Sequence, residues 1–473
     1  MGSRRAPGPV SWCAAPGRGS VVAAELTGLA GPGELTELTD EAPMGATITT
    51  GVKARGPVQV PASRYTSESF ASLEATHLWP RVWQLACSVD HVAAPGAWYE
   101  YRVGWLSVLI VRGQDGVLRA FQNVCRHRGN ALCSGSGSNL SEIRCGYHRW
   151  CWDLAGQLRE VPSRRGFGTL APSSYGLLPV QVAAWGPLVF VNLDLDAAPL
   201  DQFLEGVPSD IAWCALDEFH CSYLVSIPVP CNWKTLIDGF SETYHVQGIH
   251  REMLPSVDDV NGPQRLWSRH GQLSQPYGIP SPRFRDRPDD QAVWDSFVEI
   301  MGTRAGVAEG APLPPVPAGS DLRSAIAGMV RATGAASGLD YGRFTDDQMM
   351  TMQQYNLFPN VTVVVFPDLL SVVRARPGPT PDEAIMDTFA FTRAAPGGAA
   401  PERPADIEVP AGAPVPLGLV LSQDVGALQG IQRGLHQPGF THLSLSREEC
   451  RIVNLHRNLE RYLGIEPSEI TGL

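Results

Sequence analysis

Cys125-Arg126-His127-Arg128-Gly129 and, after fourteen intervening residues, Arg144-Cys145-Gly146-Tyr147-His148-Arg149-Trp150 decide how the rest of the chain is read. Reduced to ligands, the pattern is C-x-H, seventeen residues, then C-x-x-H. Two thiolates and two imidazoles therefore come from two separate loops. The ligand set suits either a tetrahedral zinc or a [2Fe-2S] cluster in which two His replace two Cys on one iron. Spacing separates the two. A nucleic-acid-type zinc finger groups its cysteines and then its histidines. Here each loop gives one of each, as a cluster needs when one iron takes both thiolates and the other both imidazoles.

These motifs, C-R-H-R-G and C-G-Y-H-R-W, resemble those of the Rieske non-haem iron oxygenases, the large (alpha) subunits of ring-hydroxylating dioxygenases and related monooxygenases. Respiratory Rieske proteins differ, because an additional Cys in each of their loops forms a disulfide. Cys133 and Cys151 lie near the loops but not where that pattern needs them, and they read as small buried residues. The resemblance implies an α+β architecture: a small all-β Rieske domain, and a larger catalytic domain with an antiparallel sheet covered by helices. Cys125, His127, Cys145 and His148 would hold the cluster.

A Rieske cluster carries electrons and needs an acceptor. The stretch Asn232-Trp233-Lys234 through Asp238, Phe240, Glu242, Tyr244, His245 and His250 supplies a candidate. His245 and His250 are five apart and do not share a face of an ideal helix, but Gly248 can break the helix and let His250 swing back. Any lone pair of histidines is by default a satisfied structural pair; the first motif tips the balance. The same resemblance implies a mononuclear Fe(II) held by two His and one carboxylate, with open positions for O2 as co-substrate. It makes His245 and His250 ligands. It also makes Glu242, three residues before His245 and on the same helical face, the acceptor of a hydrogen bond from the cluster His148 of a neighbouring subunit. Many ring dioxygenases have Asp there, and Glu occurs in some C–H- and amine-oxidising members. The stretch Ser422-Gln423-Asp424 followed by Gln432-Arg433-Gly434-Leu435 resembles the family's C-terminal helix and makes Asp424 the third ligand. Gln423 stands where an acid is usual, with no expected consequence for the metal. Asp238 is the rival carboxylate and is expected to support the site.

Outward from the motifs, the 473 residues suffice for two domains and a large core. The expected division is a tail over 1–55, a Rieske domain with an N-terminal helix over 56–200, and a catalytic domain over 201–473, with 260–345 as lid or insertion. The tail is rich in Gly, Ala, Pro and Thr and is expected to be disordered. Arg4-Arg5 lacks a following apolar stretch, so export is rejected, and Met44 is a candidate true start. Trp98–Val111 and Val117–Val124 read as strands joined across Gly113-Gln114-Asp115-Gly116. Val180–Leu193, Tyr355–Phe366 and Leu369–Ala375 read as strands, and Leu419–Leu435 and Ser446–Leu463 as amphipathic helices.

A net charge of -11 argues against nucleic acid as a partner. No apolar run reaches transmembrane length. Ten cysteines without a disulfide framework, together with labile cluster sulfide, favour the cytoplasm. No Gly-rich dinucleotide fingerprint occurs, so electrons from NAD(P)H are expected through a separate flavin reductase, with or without a ferredoxin. The resemblance implies a homotrimer, with or without a beta subunit, and a small aromatic or apolar substrate. Ring cis-dihydroxylation ranks first. Monooxygenation or demethylation at C–H, N-methyl or O-methyl groups comes second, kept open by Glu242, and a non-catalytic electron carrier third. Asp424→Ala is expected to cost about one iron per protomer of anaerobically purified protein while the EPR signal of the reduced cluster persists. Full iron retention would move the third ligand elsewhere, first to Asp238.

Overall fold

The computed structural model describes residues 56–395, 397, 402–415, 417–466 and 470. The expected tail and the Met44 start lie outside them. Two β units carry the two motifs. In the first, seven strands run in the order Gln84–Ser88, Leu188–Asn192, Pro179–Trp185, Leu118–Gln122, Leu106–Arg112, Trp98–Val103 and Ser136–Gly137. A three-stranded sheet of Ile143–Arg144, Cys151–Trp152 and Leu158–Glu160 stands beside it and holds the second cluster loop.

In the second unit eight strands run in the order Gln264–Leu266, Gly271–Pro276, Thr351–Leu357, Val361–Phe366, Leu369–Pro377, Ala384–Arg393, Phe219–Val229 and Ala405–Glu408. Every pairing is antiparallel except the last, which is parallel. The stretch 260–345 divides in two. Its first part adds two strands to this sheet, and its second part forms helices Asp290–Met301 and Leu322–Ala336 around a core of their own with Trp294, Phe297 and Ile326. Asp321 caps the second helix, its side chain accepting the Ser324 N–H at 2.8 Å.

Three runs expected as continuous strands are each a hairpin. Trp98–Val111 turns at Gly104-Trp105, where Val103 pairs with Leu106 and Gly104 has φ +52°. Val180–Leu193 turns at Gly186-Pro187, with Trp185 opposite Leu188. Tyr355–Phe366 turns after Leu357, which faces Val361. Apolar β-branched residues on both sides of a tight turn leave the alternation unbroken in sequence, so the turn is hidden. The hairpin across Gly113–Gly116 forms as expected, and Arg112 pairs with Leu118.

An early strand and a late one are tied together. Val58–Pro61 pairs antiparallel with His442–Leu445, and Tyr65, Leu435 and Ile452 share a buried cluster. The two β units share one large apolar core, running from Leu85 and Val189 to Val363 and Phe389. Across it reaches Arg374, 1% exposed. Its Nε donates to Asp387 at 2.8 Å, and one terminal nitrogen donates to the carbonyls of Leu85 and Ala86, both at 2.7 Å. Arg376 also binds Asp387 and reaches the Arg102 carbonyl at 3.1 Å. The two guanidinium charges hold the buried Asp387 carboxyl well below the usual carboxylate range, overcoming its burial.

Removing one partner of such a group leaves buried atoms unpaired. Arg374→Met is therefore expected to cost about 3 kcal/mol in urea unfolding followed by tryptophan fluorescence. Arg119→Met, which removes an exposed pair with Asp115, is the control and should change nothing measurable.

Candidate functional site

The two cluster loops are built alike. The Cys125 N–H donates to the Asn130 carbonyl at 2.8 Å, and the Gly129 N–H returns to Cys125 O at 3.0 Å. In the second loop Cys145 N–H meets Trp150 O at 2.9 Å, and Arg149 N–H meets Cys145 O at 3.1 Å. The fifth residue of each loop is left-handed: Gly129 at φ +77°, Arg149 at φ +63°. A non-glycine residue there carries conformational strain. Each fold-back aims two backbone N–H groups at its cysteine sulfur, those of His127 and Arg128 at Cys125 and those of Tyr147 and His148 at Cys145. Asn130 adds a side-chain N–H 3.8 Å from Cys145 Sγ.

The thiols of Cys125 and Cys145 face each other. Burial raises both, but at Cys145 the converging donors prevail and hold its pKa below the ordinary value, whereas Cys125 stays above it. The His127 and His148 rings lie 4.6 Å apart, and His127 stacks on the buried Trp150 at 5.2 Å. Burial first, then the His148 and Arg128 charges, lower the His127 pKa, which favours the neutral form that can ligate a metal. Its Nδ1 is buried without a hydrogen-bond partner among the described residues. Paired thiols, paired imidazoles and an orphaned ring nitrogen fit a mixed-ligand two-iron cluster. No disulfide competes, since the described cysteines are free thiols.

The second motif is not one long helix. Helix Trp233–Gly239 is capped by Asn232, whose Oδ1 accepts the Lys234 N–H at 3.0 Å. The chain leaves this helix at Phe240, earlier than the expected break at Gly248. A single helical turn, Val246–Ile249, then separates His245 from His250 and brings their rings to 5.1 Å. The Asn232-Trp233-Lys234 triplet is an anchor. Trp233 Nε1 and Lys234 Nζ both donate to buried Glu74, at 3.0 and 2.6 Å.

Asp424 comes from the helix Leu419–Leu435. One bond from Gln432 in that helix sets its register: Gln432 Oε1 accepts the Asn232 N–H at 2.9 Å. The ligand atoms of His245, His250 and Asp424 all lie within 4.8 Å of one another, the one such group of three among the described residues. His250 Nε2 is 2.8 Å from Asp424 Oδ1 and His245 Nε2 is 3.7 Å from it. Two imidazoles and one carboxylate on one side of a cavity fit a mononuclear iron with open positions. Burial depresses the His250 pKa, yet the bond to Asp424 and its charge raise it on balance; a divalent cation would displace the shared proton.

Each remote ring nitrogen is held. His245 Nδ1 donates to Glu242 Oε1, and the His245 backbone N–H donates to Glu242 Oε2 at 3.0 Å. His250 Nδ1 donates to Gln423 Oε1 at 2.7 Å. Gln423 therefore has a consequence that the sequence did not disclose: it fixes the tautomer that turns His250 Nε2 to the site. Its signal was its position beside Asp424. Glu242, expected to serve a neighbour's His148, is engaged by His245 within the chain.

Asp238 is not brought to the histidines. Its Oδ2 accepts the Tyr65 hydroxyl at 2.6 Å, and Tyr65 Oη lies 2.7 Å from His456 Nε2. Tyr65 has one proton, so donating to Asp238 makes it the acceptor from His456 Nε2–H. Burial lifts the Asp238 carboxyl to about 7. The folded state thus favours the protonated acid, and that contribution to stability is lost as pH rises from 3.8 to about 7. Asp238→Asn is expected to remove this slope, gaining on the order of 2–3 kcal/mol relative to the parent between pH 5 and 8. Parallel urea-unfolding profiles for the two proteins would mean that Asp238 is ionised in the fold.

Family models match two parts of the chain: a Rieske [2Fe-2S] domain over residues 82–176, and the ring hydroxylating alpha subunit (catalytic domain) over residues 216–465. Among curated proteins, the carnitine monooxygenase oxygenase subunit of Escherichia coli (strain K12) is 30% identical over 227 residues, 47% of this chain and 59% of that protein. The glycine betaine monooxygenase oxygenase subunit of Pseudomonas aeruginosa (strain UCBPP-PA14) is 28% identical over 208 residues, 43% and 48% respectively. The chloroplastic choline monooxygenase of Beta vulgaris is 31% identical over 204 residues, 42% and 46%. The chain thus spans about half the length of the curated relatives it matches. Two solved structures share the fold. A quaternary ammonium Rieske monooxygenase with L-carnitine has a TM-score of 0.61 at 17% identity, covering 86% of this chain and 96% of that one. Naphthalene 1,2-dioxygenase from Rhodococcus sp. has a TM-score of 0.59 at 17% identity, covering 86% and 95%. Because the catalytic-domain match alone takes in more than half of the sequence, the protein belongs to the ring-hydroxylating alpha subunits, the Rieske oxygenase family with a [2Fe-2S] cluster and a mononuclear iron.

Proposed function

We propose that this oxygenase is a monooxygenase that hydroxylates an N-methyl or neighbouring C–H group of an amine, releasing formaldehyde where the carbon is a methyl. On the sequence motifs alone, ring cis-dihydroxylation ranks first. The observation that reverses the order is the similarity to three oxygenases named for carnitine, glycine betaine and choline, joined to Glu242 beside His245.

In this reading Cys125, Cys145, His127 and His148 hold the cluster, and His245, His250 and Asp424 hold the iron. When bound, the iron supplies O2 reduction, with electrons arriving through the cluster from NAD(P)H by way of a partner flavin reductase, with or without a ferredoxin. The balance is a C–H bond, O2, two electrons and two protons giving C–OH and water; a hydroxymethyl ammonium then expels formaldehyde and a proton. The chain's own residues position and shield. Gln423 and Glu242 fix the two imidazole tautomers. Glu242 keeps acceptor capacity, because a carboxylate has four lone-pair sites, and it can receive the neighbouring subunit's His148 in a head-to-tail homotrimer. The cavity beside the triad measures about 680 Å³ and is lined mostly by apolar side chains such as Val225, Met352 and Leu369, which keep water from the reacting carbon.

The test supplies reductase, NAD(P)H and labelled O2, with an N-methylated amine in one arm and an aromatic hydrocarbon in the other. Equimolar formaldehyde and demethylated amine are expected from the first arm. A cis-diol carrying both labelled atoms, without formaldehyde from the amine, would restore the dihydroxylase order.

A further inference from the structure

The cavity beside His245, His250 and Asp424 is large, and its shape and charge restrict its occupant further. It is lined by Gln275 of the strand Gly271–Pro276 at one side and by Ile407 of Ala405–Glu408 at the other. Those strands are second and last in the eight-stranded order, so the cavity crosses most of the sheet. At about 4.8 Å per strand this is on the order of 25–30 Å measured over the sheet surface. A compact molecule the size of glycine betaine does not fill such a space, whereas an extended chain does.

Its charge is one-sided. Apart from the triad, the carboxylates lining it are Glu242 and Glu299, and among the described residues no Arg or Lys lines it. Glu242 is engaged by His245; Glu299 sits near the end of helix Asp290–Met301, next to Ile300 and Met301, which also line the cavity. Away from the iron that the triad would hold, a carboxylate carried into this space would lose its water and find no cationic side chain among the described lining residues. A cation meets the opposite situation.

Resting on the amine-oxidising reading above, we propose that the cavity takes a cationic amine that carries no carboxylate and has an extended apolar substituent laid across the sheet. Glycine betaine and carnitine, each with a carboxylate, are then poor ligands, and a trimethylammonium group on an alkyl chain is a good one. The apolar wall sets the length dependence, and Glu299 contributes the preference for positive charge.

The experiment is calorimetric titration of the full-length oxygenase, loaded with cluster and iron and kept anaerobic. The ligands are ethyl- through octyltrimethylammonium, glycine betaine, L-carnitine, and the neutral carbon isostere of the octyl compound with a tert-butyl head. Formaldehyde is then assayed on admitting O2 with reductase and NAD(P)H. Kd should fall about fourfold per added methylene. The two carboxylated amines should bind at least roughly tenfold more weakly than the alkyltrimethylammonium of matching chain length. The neutral isostere should bind about tenfold more weakly, and Glu299→Gln should shrink that gap while leaving the slope per methylene. A flat series, an isostere that binds equally well, or a carboxylated amine that binds as tightly as the alkyltrimethylammonium of matching length overturns the proposal. The expected slope without formaldehyde overturns amine demethylation and leaves the cavity assignment standing. Formaldehyde from carnitine or glycine betaine with a flat alkyl series does the reverse.

Discussion

The buried guanidinium of Arg374 is the joint on which the arrangement of the two units depends. A charge in an apolar core is tolerated only when its donors are met. Arg374 meets Asp387 in its own sheet and two successive carbonyls, Leu85 and Ala86, in the other unit. The rings of Tyr101 and Phe389, one from each unit, lie 4.9 and 5.1 Å from it. Apolar burial between the units supplies adhesion but little direction. The guanidinium fork supplies the direction, because planar donors accept few geometries. An electron-transfer protein needs that constraint, since the cluster loops must be presented at a fixed place relative to the catalytic sheet.

The same economy of directional bonds recurs at both candidate metal sites. Each cluster loop closes on itself with two backbone hydrogen bonds and turns two N–H groups to its sulfur, so the thiolates are solvated by the backbone before any metal is considered. At the second site, three ligands from two segments far apart in sequence are placed by anchors outside the site. Glu74 holds Trp233 and Lys234, and Gln432 holds the amide of Asn232. Glu242 and Gln423 then fix which imidazole nitrogen faces inward. The acidic residues of the motif thus divide their work. Asp424 joins the triad, Glu242 orients His245, and Asp238 turns away to a buried chain of Tyr65 and His456.

Structural neighbours at 17% identity include both an amine monooxygenase and an arene dioxygenase. The fold therefore does not choose between the chemistries. The cavity of this chain is lined mostly by apolar side chains, with Glu242 and Glu299 and, among the described residues, no Arg or Lys.

How much of this was legible in advance follows from how local each feature is. The cluster motif was, because cysteine and histidine at short spacing on a loop carry their chemistry with them. His245, His250 and Asp424 were legible as a set only through resemblance; spacing alone left the two histidines off a common helical face and the third ligand among 48 acids. Three hairpins were hidden, since two-residue turns such as Gly104-Trp105 do not interrupt an apolar run. The orienting role of Gln423 and the turning away of Asp238 were hidden for another reason: their partners, His250 and Tyr65, lie 173 residues from each in sequence. The sequence by itself determined the ligand chemistry and the strand-rich, two-motif organisation, because residue type and short-range spacing fix which atoms can bind a metal. Only the tertiary structure decided which carboxylate joins the histidines, which nitrogens face inward and what charge the cavity carries, because those depend on distances between segments that the linear order does not encode.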